Sequence, residues 1–278
     1  MSPTRPLPTD RGRVADPGSG DFSAQALVVH PGTLPVTVYQ PLLGLLSPIG
    51  AEVVDLASDR AYAHAGLDPR VADPALADLA DAVASRAARG PLPVGLLIGW
   101  SFGGLVALAA AARLAPVPDV LLLDTVAPIA RIDAARAEVP RWFADYLSWR
   151  AGRRLRTGAS DPASQDLESL FGPALEAGAL ASDVTAGGFR MLTRAYTAGL
   201  ERNFRIAGAA VAPRPSHVTL VKPERGLLPD TAANGWESFA DDVRVVPCAG
   251  DHYSMLTDPG ATADIAAEVG RVAGQRAR

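Results

Sequence analysis

The sequence predicts an α/β fold, with a mostly parallel central sheet, helices on both faces of the sheet and a helical lid insertion. Three observations support this prediction. Short apolar runs rich in β-branched residues alternate with helical patterns along most of the chain. Several of these runs are apolar without alternation, which is typical of strands that helices cover on both sides. One long interval, in contrast, contains helical patterns alone.

Six runs are predicted as strands, because each is short, apolar and rich in β-branched residues. They cover residues 26–30, 51–56, 94–99, 120–124, 217–222 and 243–247. Helices are predicted between and after them. One is expected to be capped by Asp73-Pro74, a second covers residues 101–114, and a third begins at Asp258-Pro259.

The interval 130–212 separates two predicted strands and is predicted to form the lid. Its aromatic and apolar residues recur every three or four positions, which places them on one helical face. The clearest group is Phe189, Leu192, Tyr196, Leu200 and Phe204. Long insertions in compact domains tend to be functional, so a cover over a substrate channel is favoured over a subdomain that only adds core.

The composition bounds the domain organisation and excludes several functions. Residues 1–21 are polar and rich in Pro and Gly, so we expect a disordered leader before one domain of residues 22–278. A net charge of −4 and a pI near 5.6 argue against a nucleic-acid partner. The sequence has no run of about 18 apolar residues, the length that a membrane span needs. The single cysteine, Cys248, excludes internal disulfides, disfavours a cysteine-based metal site and is typical of a cytoplasmic protein.

One short segment indicates nucleophilic chemistry. Gly99, Trp100, Ser101, Phe102 and Gly103 fit the pattern G-x-S-x-G, with an apolar strand before it and an apolar helix after it. A sharp turn from strand to helix exposes the serine hydroxyl, and the small neighbours allow the strand and the helix to pass closely. The amide that follows the serine then lies at a helix N-terminus, where it can stabilise negative charge.

A serine nucleophile needs a base, and four histidines are available. His252 follows the last predicted strand and precedes the last helix, which places it at the carboxyl edge where an open α/β sheet forms its active crevice. His30 also ends a strand but lies near the N-terminus, and His217 begins a strand at the opposite edge. His64 is predicted to lie in a loop without a pattern. His252 is therefore the predicted base.

The base needs an acid to orient it, and position along the chain leaves this choice open. Asp124 ends the strand that follows the serine helix, so it lies at the carboxyl edge. Asp230 follows the next predicted strand, where many hydrolases of this architecture have their acid. Glu224 is a weaker third candidate.

Together these segments resemble the thioesterase domains that release products from polyketide synthases and nonribosomal peptide synthetases, which have the α/β-hydrolase fold. GWSFGG and the following LVAL resemble the nucleophile turn of these domains, LLLDTVAP resembles the end of their acid strand, and AGDHYSML resembles their histidine segment. Two further similar segments are the opening HPGTLPVTVYQPL and the NGWESF that precedes the histidine segment. The resemblance extends from about residue 24 to the C-terminus and is weakest in the lid.

The resemblance implies a role for individual residues. Ser101 corresponds to the nucleophile, Asp124 to the acid and His252 to the base. The position of Asp124 favours the off-loading type over the editing type, whose acid usually follows a later strand. The implied activity is the release of an acyl, polyketide or peptide chain through a seryl acyl-enzyme, by hydrolysis or macrocyclisation, in secondary-metabolite biosynthesis.

The resemblance also implies an oxyanion hole and a partner. The oxyanion amides correspond to Phe102 and Thr33, with Gly32 as the alternative for the second position. The partner is an acyl or peptidyl carrier protein, which holds the acyl thioester on its phosphopantetheine arm, so the enzyme itself needs no cofactor or metal. A homodimer is left open. An editing thioesterase, a general carboxylesterase of the same fold and a catalytically idle binding module are the alternatives.

Overall fold

The computed structural model describes residues 25–65, 68, 70–128, 132–156, 166–210, 214–228 and 230–276. The predicted leader, residues 1–21, lies outside the described residues. The six strands are β1 (Gln25–His30), β2 (Ala51–Asp55), β3 (Val94–Trp100), β4 (Asp119–Leu123), β5 (His217–Arg225) and β6 (Asp242–Asp251). They form one sheet in the order β2-β1-β3-β4-β5-β6, in which every neighbouring pair is parallel. All six predicted strands are confirmed.

Helices cover both faces of the sheet. The α-helices of the described chain are α1 (Gln40–Leu45), α2 (Arg60–Ala65), α3 (Leu76–Ala88), α4 (Phe102–Ala111), α5 (Ile132–Ala137), α6 (Val139–Ala151), α7 (Phe171–Ala177), α8 (Ala186–Ala209) and α9 (Pro259–Arg276). Leu27 and Val29 of β1 pack on the face that α3 and α4 cover, while Val28 packs on the face of α1 and α9. Every residue of β3 is buried, which explains why its run is apolar without alternation.

Two helix boundaries differ from the prediction. The expected cap of α3 at Asp73-Pro74 is wrong: the helix begins at Leu76, and the backbone N–H of Ala75 donates to the side chain of Asp78. Asp73 instead forms an ion pair with Arg205 of α8, a long-range contact that local sequence does not encode. α4 ends at Ala111, three residues earlier than predicted, and its chain continues as a turn. The last helix begins at Pro259 as predicted, and the Asp258 side chain accepts from the N–H of Ala261.

The described part of the interval between β4 and β5 contains the helices α5, α6, α7 and α8 and no strand. These helices have a small apolar core of their own, centred on Phe143, Leu147, Leu170 and Phe189. The aromatic face predicted for the last of them lies on α8, where Phe189 and Tyr196 are buried. The lid insertion is therefore a separately packed layer above the carboxyl edge of the sheet.

The contact between α4 and the sheet requires glycine. A Cβ at Gly103 would collide with the carbonyl oxygen of Val29, and one at Gly104 would collide with the side chain of Thr125. The helix that starts at the serine turn is therefore held closer to β1 than any other residue type would allow.

Gly103→Ala is expected to lower the free energy of unfolding by about 2 kcal/mol or more, because the backbone of Val29 cannot move aside without disturbing β1. Gly270→Ala is the matched control: nothing lies within 4 Å of a Cβ added at this position of α9. The control is expected to be neutral or to stabilise by up to about 1 kcal/mol, because alanine favours helix. Urea denaturation followed by tryptophan fluorescence measures both, and equal midpoints would contradict the close approach.

Candidate active site

Ser101 lies at the junction between β3 and α4. Its backbone has φ 55° and ψ −131°, a conformation that residues other than glycine rarely adopt. The strain is held in place because the N–H of Ser101 donates to the carbonyl of Leu123, at 2.9 Å, and α4 begins at the next residue. The turn predicted from the sequence is therefore present, with the serine at its tip.

His252 and Asp124 come from distant parts of the chain and meet at the carboxyl edge of the sheet. His252 follows the end of β6, Asp124 follows the end of β4, and His252 Nδ1 lies 2.8 Å from Asp124 Oδ2. Both side chains are buried. An ionised carboxylate only accepts, so Nδ1–H donates and Nε2 is left as the acceptor of this imidazole. Asp230 and Glu224 are exposed, so the structure brings Asp124, and neither alternative, to the histidine.

The carboxylate of Asp124 has two further donors that sequence analysis did not identify. The N–H of Leu227 donates to Oδ2 at 2.9 Å, and Asn234 Nδ2 donates to Oδ1 at 2.8 Å. Together with His252 they fix the orientation of a fully buried charge, which needs such partners. The sequence feature that could have pointed to Asn234 is the Asn234-Gly235 dipeptide, which is typical of tight turns. Both residues have positive φ in the structure, 52° and 88°.

Trp100 holds the histidine from one side. Its indole ring stacks on the His252 ring, with centroids 4.6 Å apart, and its Nε1–H donates to the carbonyl of His252 at 3.0 Å. The indole also stacks on His30, with centroids 5.9 Å apart. His30 is itself buried, bonded to Tyr39 and to the Leu34 carbonyl, and burial lowers its pKa below the ordinary value. His30 is therefore a structural residue that supports Trp100.

The two remaining histidines lie away from this edge. His64 belongs to α2, so its predicted placement in a loop is wrong. His217 begins β5, at the opposite edge of the sheet, and pairs there with Asp242 on the surface.

A mainly apolar cavity opens above the serine. It is lined by four residues predicted for the site, which are Thr33, Ser101, Phe102 and His252. The lid closes it with Trp142, Tyr196, Leu200, Asn203 and Phe204. Gly32 is absent from the lining. No hydrogen bond joins Ser101 to His252 among the described residues, and such contacts often tighten only when substrate binds.

The lid touches the histidine segment directly. The hydroxyl oxygens of Tyr196, on α8, and Tyr253, next to His252, lie 2.6 Å apart. Burial raises the pKa of both phenols above the ordinary value, so both are neutral at physiological pH. This contact connects α8 of the lid with the loop that carries His252.

Cys248 has no place in this site. It is buried on β6 within the core below the histidine loop, and burial raises the pKa of its thiol to about 12. The described residues contain no cluster of His, Cys, Asp or Glu that could hold a metal ion. None of the helices in this described part is long and apolar enough to cross a membrane.

The family model of the alpha/beta hydrolase family matches residues 26–265. This range contains all six strands except Gln25, the first residue of β1. The chain belongs to the alpha/beta hydrolase family. No curated protein sequence matches this hydrolase.

Several solved structures share the fold of this hydrolase. A four-domain nonribosomal peptide synthetase, holo-AB3403 bound to AMP and glycine, matches with a TM-score of 0.57 and 22% identity over 91% of this chain and 19% of its own. The chain thus spans about a fifth of that synthetase. The NocB thioesterase domain, in covalent complex with a fluorophosphonate nocardicin G analogue, matches with a TM-score of 0.53 and 21% identity, over 91% of this chain and 95% of the NocB domain. RedJ, a thioesterase from the prodiginine pathway of Streptomyces coelicolor, matches with a TM-score of 0.53 and 16% identity, over 96% of both chains.

Proposed function

We propose that this hydrolase is a serine thioesterase that releases an acyl, polyketide or peptide chain from the phosphopantetheine arm of a carrier protein. The observation on which this rests most is the hydrogen bond between His252 and Asp124, beside the cavity that Ser101 lines. The acid at the end of β4 is the position that the resemblance assigns to off-loading thioesterases. The thioesterase folds of NocB and RedJ are consistent with this proposal.

In the first proposed step, Ser101 Oγ attacks the carbonyl carbon of the thioester while His252 Nε2 takes the hydroxyl proton. The Asp124 carboxylate stabilises the imidazolium and keeps its proton-bearing Nδ1 in place without becoming protonated. The C–S bond then breaks, the thiolate of the carrier arm receives the proton from Nε2, and the acyl group stays on the serine as an ester.

The tetrahedral intermediate needs donors for its oxyanion. The amide of Phe102 is the first of α4, so it faces the site from a helix N-terminus. The amide of Thr33 is the proposed second donor, and Thr33 lines the same cavity. Losing one such donor costs about 3–4 kcal/mol of barrier in comparable sites.

In the second step, water or a nucleophile of the acyl chain itself attacks the ester carbonyl and gives its proton to His252. The bond between the acyl carbon and Ser101 Oγ then breaks, and the serine oxygen takes the proton from Nε2. Water releases an acid, whereas an internal hydroxyl or amine releases a macrocycle. The apolar lid side chains Trp142, Leu200 and Phe204 would exclude water and pack against the chain. The enzyme requires no cofactor in this scheme, and it would act in the cytoplasm, where carrier-bound chains are made.

Parallel assays of four acyl donors test this function. They are a long acyl chain on a carrier protein, an acetyl or propionyl group on the same carrier, the long chain on N-acetylcysteamine, and its p-nitrophenyl oxygen ester. We expect the long carrier-bound thioester to have the highest kcat/KM. Preference for the acetyl carrier would indicate an editing enzyme, and preference for the oxygen ester with no gain from the carrier would indicate a carboxylesterase.

A further inference from the structure

A polar cluster is buried where the lid meets the core. It consists of Arg202 and Asn203 on α8 and Tyr62 on α2, which are 6%, 6% and 0% exposed. The Arg202 guanidinium lies over the Tyr62 ring, 3.5 Å from its centroid, and also donates to the Tyr62 carbonyl at 2.9 Å. The cluster is therefore rigid, because each buried group restrains another.

The contacts of Asn203 fix the orientation of its amide. The oxygen Oδ1 accepts from Arg202 Nε and a terminal guanidinium nitrogen, both at 3.2 Å, and lies 2.8 Å from the Tyr62 hydroxyl. A guanidinium only donates, so the oxygen, and not the nitrogen, must face Arg202. The amide nitrogen Nδ2 then points the other way.

That nitrogen is a buried donor for which no residue of the described chain is an acceptor. Asn203 lines the cavity above Ser101, whereas Arg202 and Tyr62, the partners of its oxygen, do not. Nδ2 is thus the end of the amide that turns to the cavity. A buried donor without a partner is costly, and native proteins seldom leave one unless water or a ligand completes it.

We propose that Asn203 Nδ2 donates a hydrogen bond to an acceptor oxygen of the acyl chain, and so selects chains that carry one. The inference rests on the proposed thioesterase function and specifies its substrate class. Of the other lid groups that line the cavity, Trp142 Nε1 already donates to the Leu227 carbonyl, at 2.9 Å, and Leu200 and Phe204 are apolar. The Tyr196 hydroxyl is engaged with the Tyr253 hydroxyl, at 2.6 Å.

The surroundings of Asn203 also indicate where along the chain this oxygen lies. The Tyr62 hydroxyl that contacts Asn203 also lies 2.9 Å from the carbonyl of Pro31, two residues before Thr33. The Tyr62 ring stacks on Phe102, with centroids 6.1 Å apart and planes 7° apart. Asn203 is thereby attached to both segments of the proposed oxyanion hole. The selected oxygen is accordingly assigned to the part of the acyl chain nearest the thioester, and a 3-oxo group is the probe of that assignment.

The test compares Asn203→Asp with the wild type on two thioesters of N-acetylcysteamine, 3-oxooctanoyl and octanoyl. Aspartate retains an oxygen for Arg202 and Tyr62 but replaces the donor by an acceptor. We expect kcat/KM for the 3-oxo substrate to fall by about 10-fold or more, and that for octanoyl by less than about 3-fold. Arg205→Gln is the control: it makes the same change in net charge on α8, at an exposed residue outside the cavity.

Equal losses on the two substrates, or no loss on either, would overturn the inference. Thermal denaturation of the full-length variants checks that the cluster still folds. Binding of the matching non-hydrolysable amides to S101A, with and without N203D, separates the two proposals. If the wild type cleaves neither thioester but N203D weakens binding of the 3-oxo amide alone, the proposed reaction fails and the donor role stands. If both thioesters are cleaved without a selective effect of N203D in either assay, the donor role fails alone.

Discussion

Ser101→Ala is expected to reduce thioester cleavage by about 10⁴-fold or more, while the fold stays intact. The proposed mechanism has no other group that can form the acyl-enzyme. The substitution leaves the turn between β3 and α4 unchanged, and the hydroxyl makes no hydrogen bond within the described part of the chain. We therefore expect the free energy of unfolding to change by no more than about 0.5 kcal/mol.

Intact-protein mass spectrometry with an acyl-carrier substrate measures the covalent step directly. The wild type should accumulate an adduct of the acyl mass, and S101A should not. Ser238→Ala, a change of the same kind at an exposed serine, should retain the adduct and the activity. An adduct on S101A would identify another nucleophile and refute the proposed mechanism.

Asp124→Asn is expected to lower kcat by about 10⁴-fold, as the equivalent change does in a serine protease triad. If the neutral amide presents its own N–H to Nδ1, the proton of His252 moves to Nε2, which can then no longer accept the serine proton. If the amide oxygen accepts from Nδ1–H instead, the tautomer is kept but the imidazolium loses the stabilising charge. Asp230→Asn, at an exposed position, is the matched control and should have less than about a 3-fold effect.

The Asp124→Asn variant should also be less stable than the wild type, because the new asparagine amide cannot accept hydrogen bonds from all of the donors that surround the Asp124 carboxylate. Leu227 and Asn234 both donate to the carboxylate, and one of these bonds would be lost or would face a second donor, at a cost of about 1–3 kcal/mol. Assays are therefore made at a temperature where circular dichroism shows the variant folded. A larger loss for Asp230→Asn than for Asp124→Asn would mean that the acid of the mechanism is misassigned.

Much of the architecture follows from local patterns in the sequence. The buried run of β3 and the glycines around Ser101 predict both the strand and the turn, since burial on two faces and a close helix crossing each restrict residue type over a few positions. The expected cap at Asp73-Pro74 failed for the opposite reason. Asp73 pairs with Arg205, which is 132 residues away in the chain, and a local pattern carries no information about such a contact.

The sequence by itself determined the order of strands and helices, the serine turn and the placement of His252 after the last strand. The resemblance favoured Asp124 over Asp230, and the tertiary structure brings Asp124 to His252. Only the tertiary structure revealed that Asn234 contacts Asp124, that Trp100 stacks on His252 and that Asn203 lines the cavity. The physical reason is range. Backbone conformation and burial repeat over a few residues, so a short pattern encodes them, whereas a hydrogen bond between side chains depends on how distant segments pack.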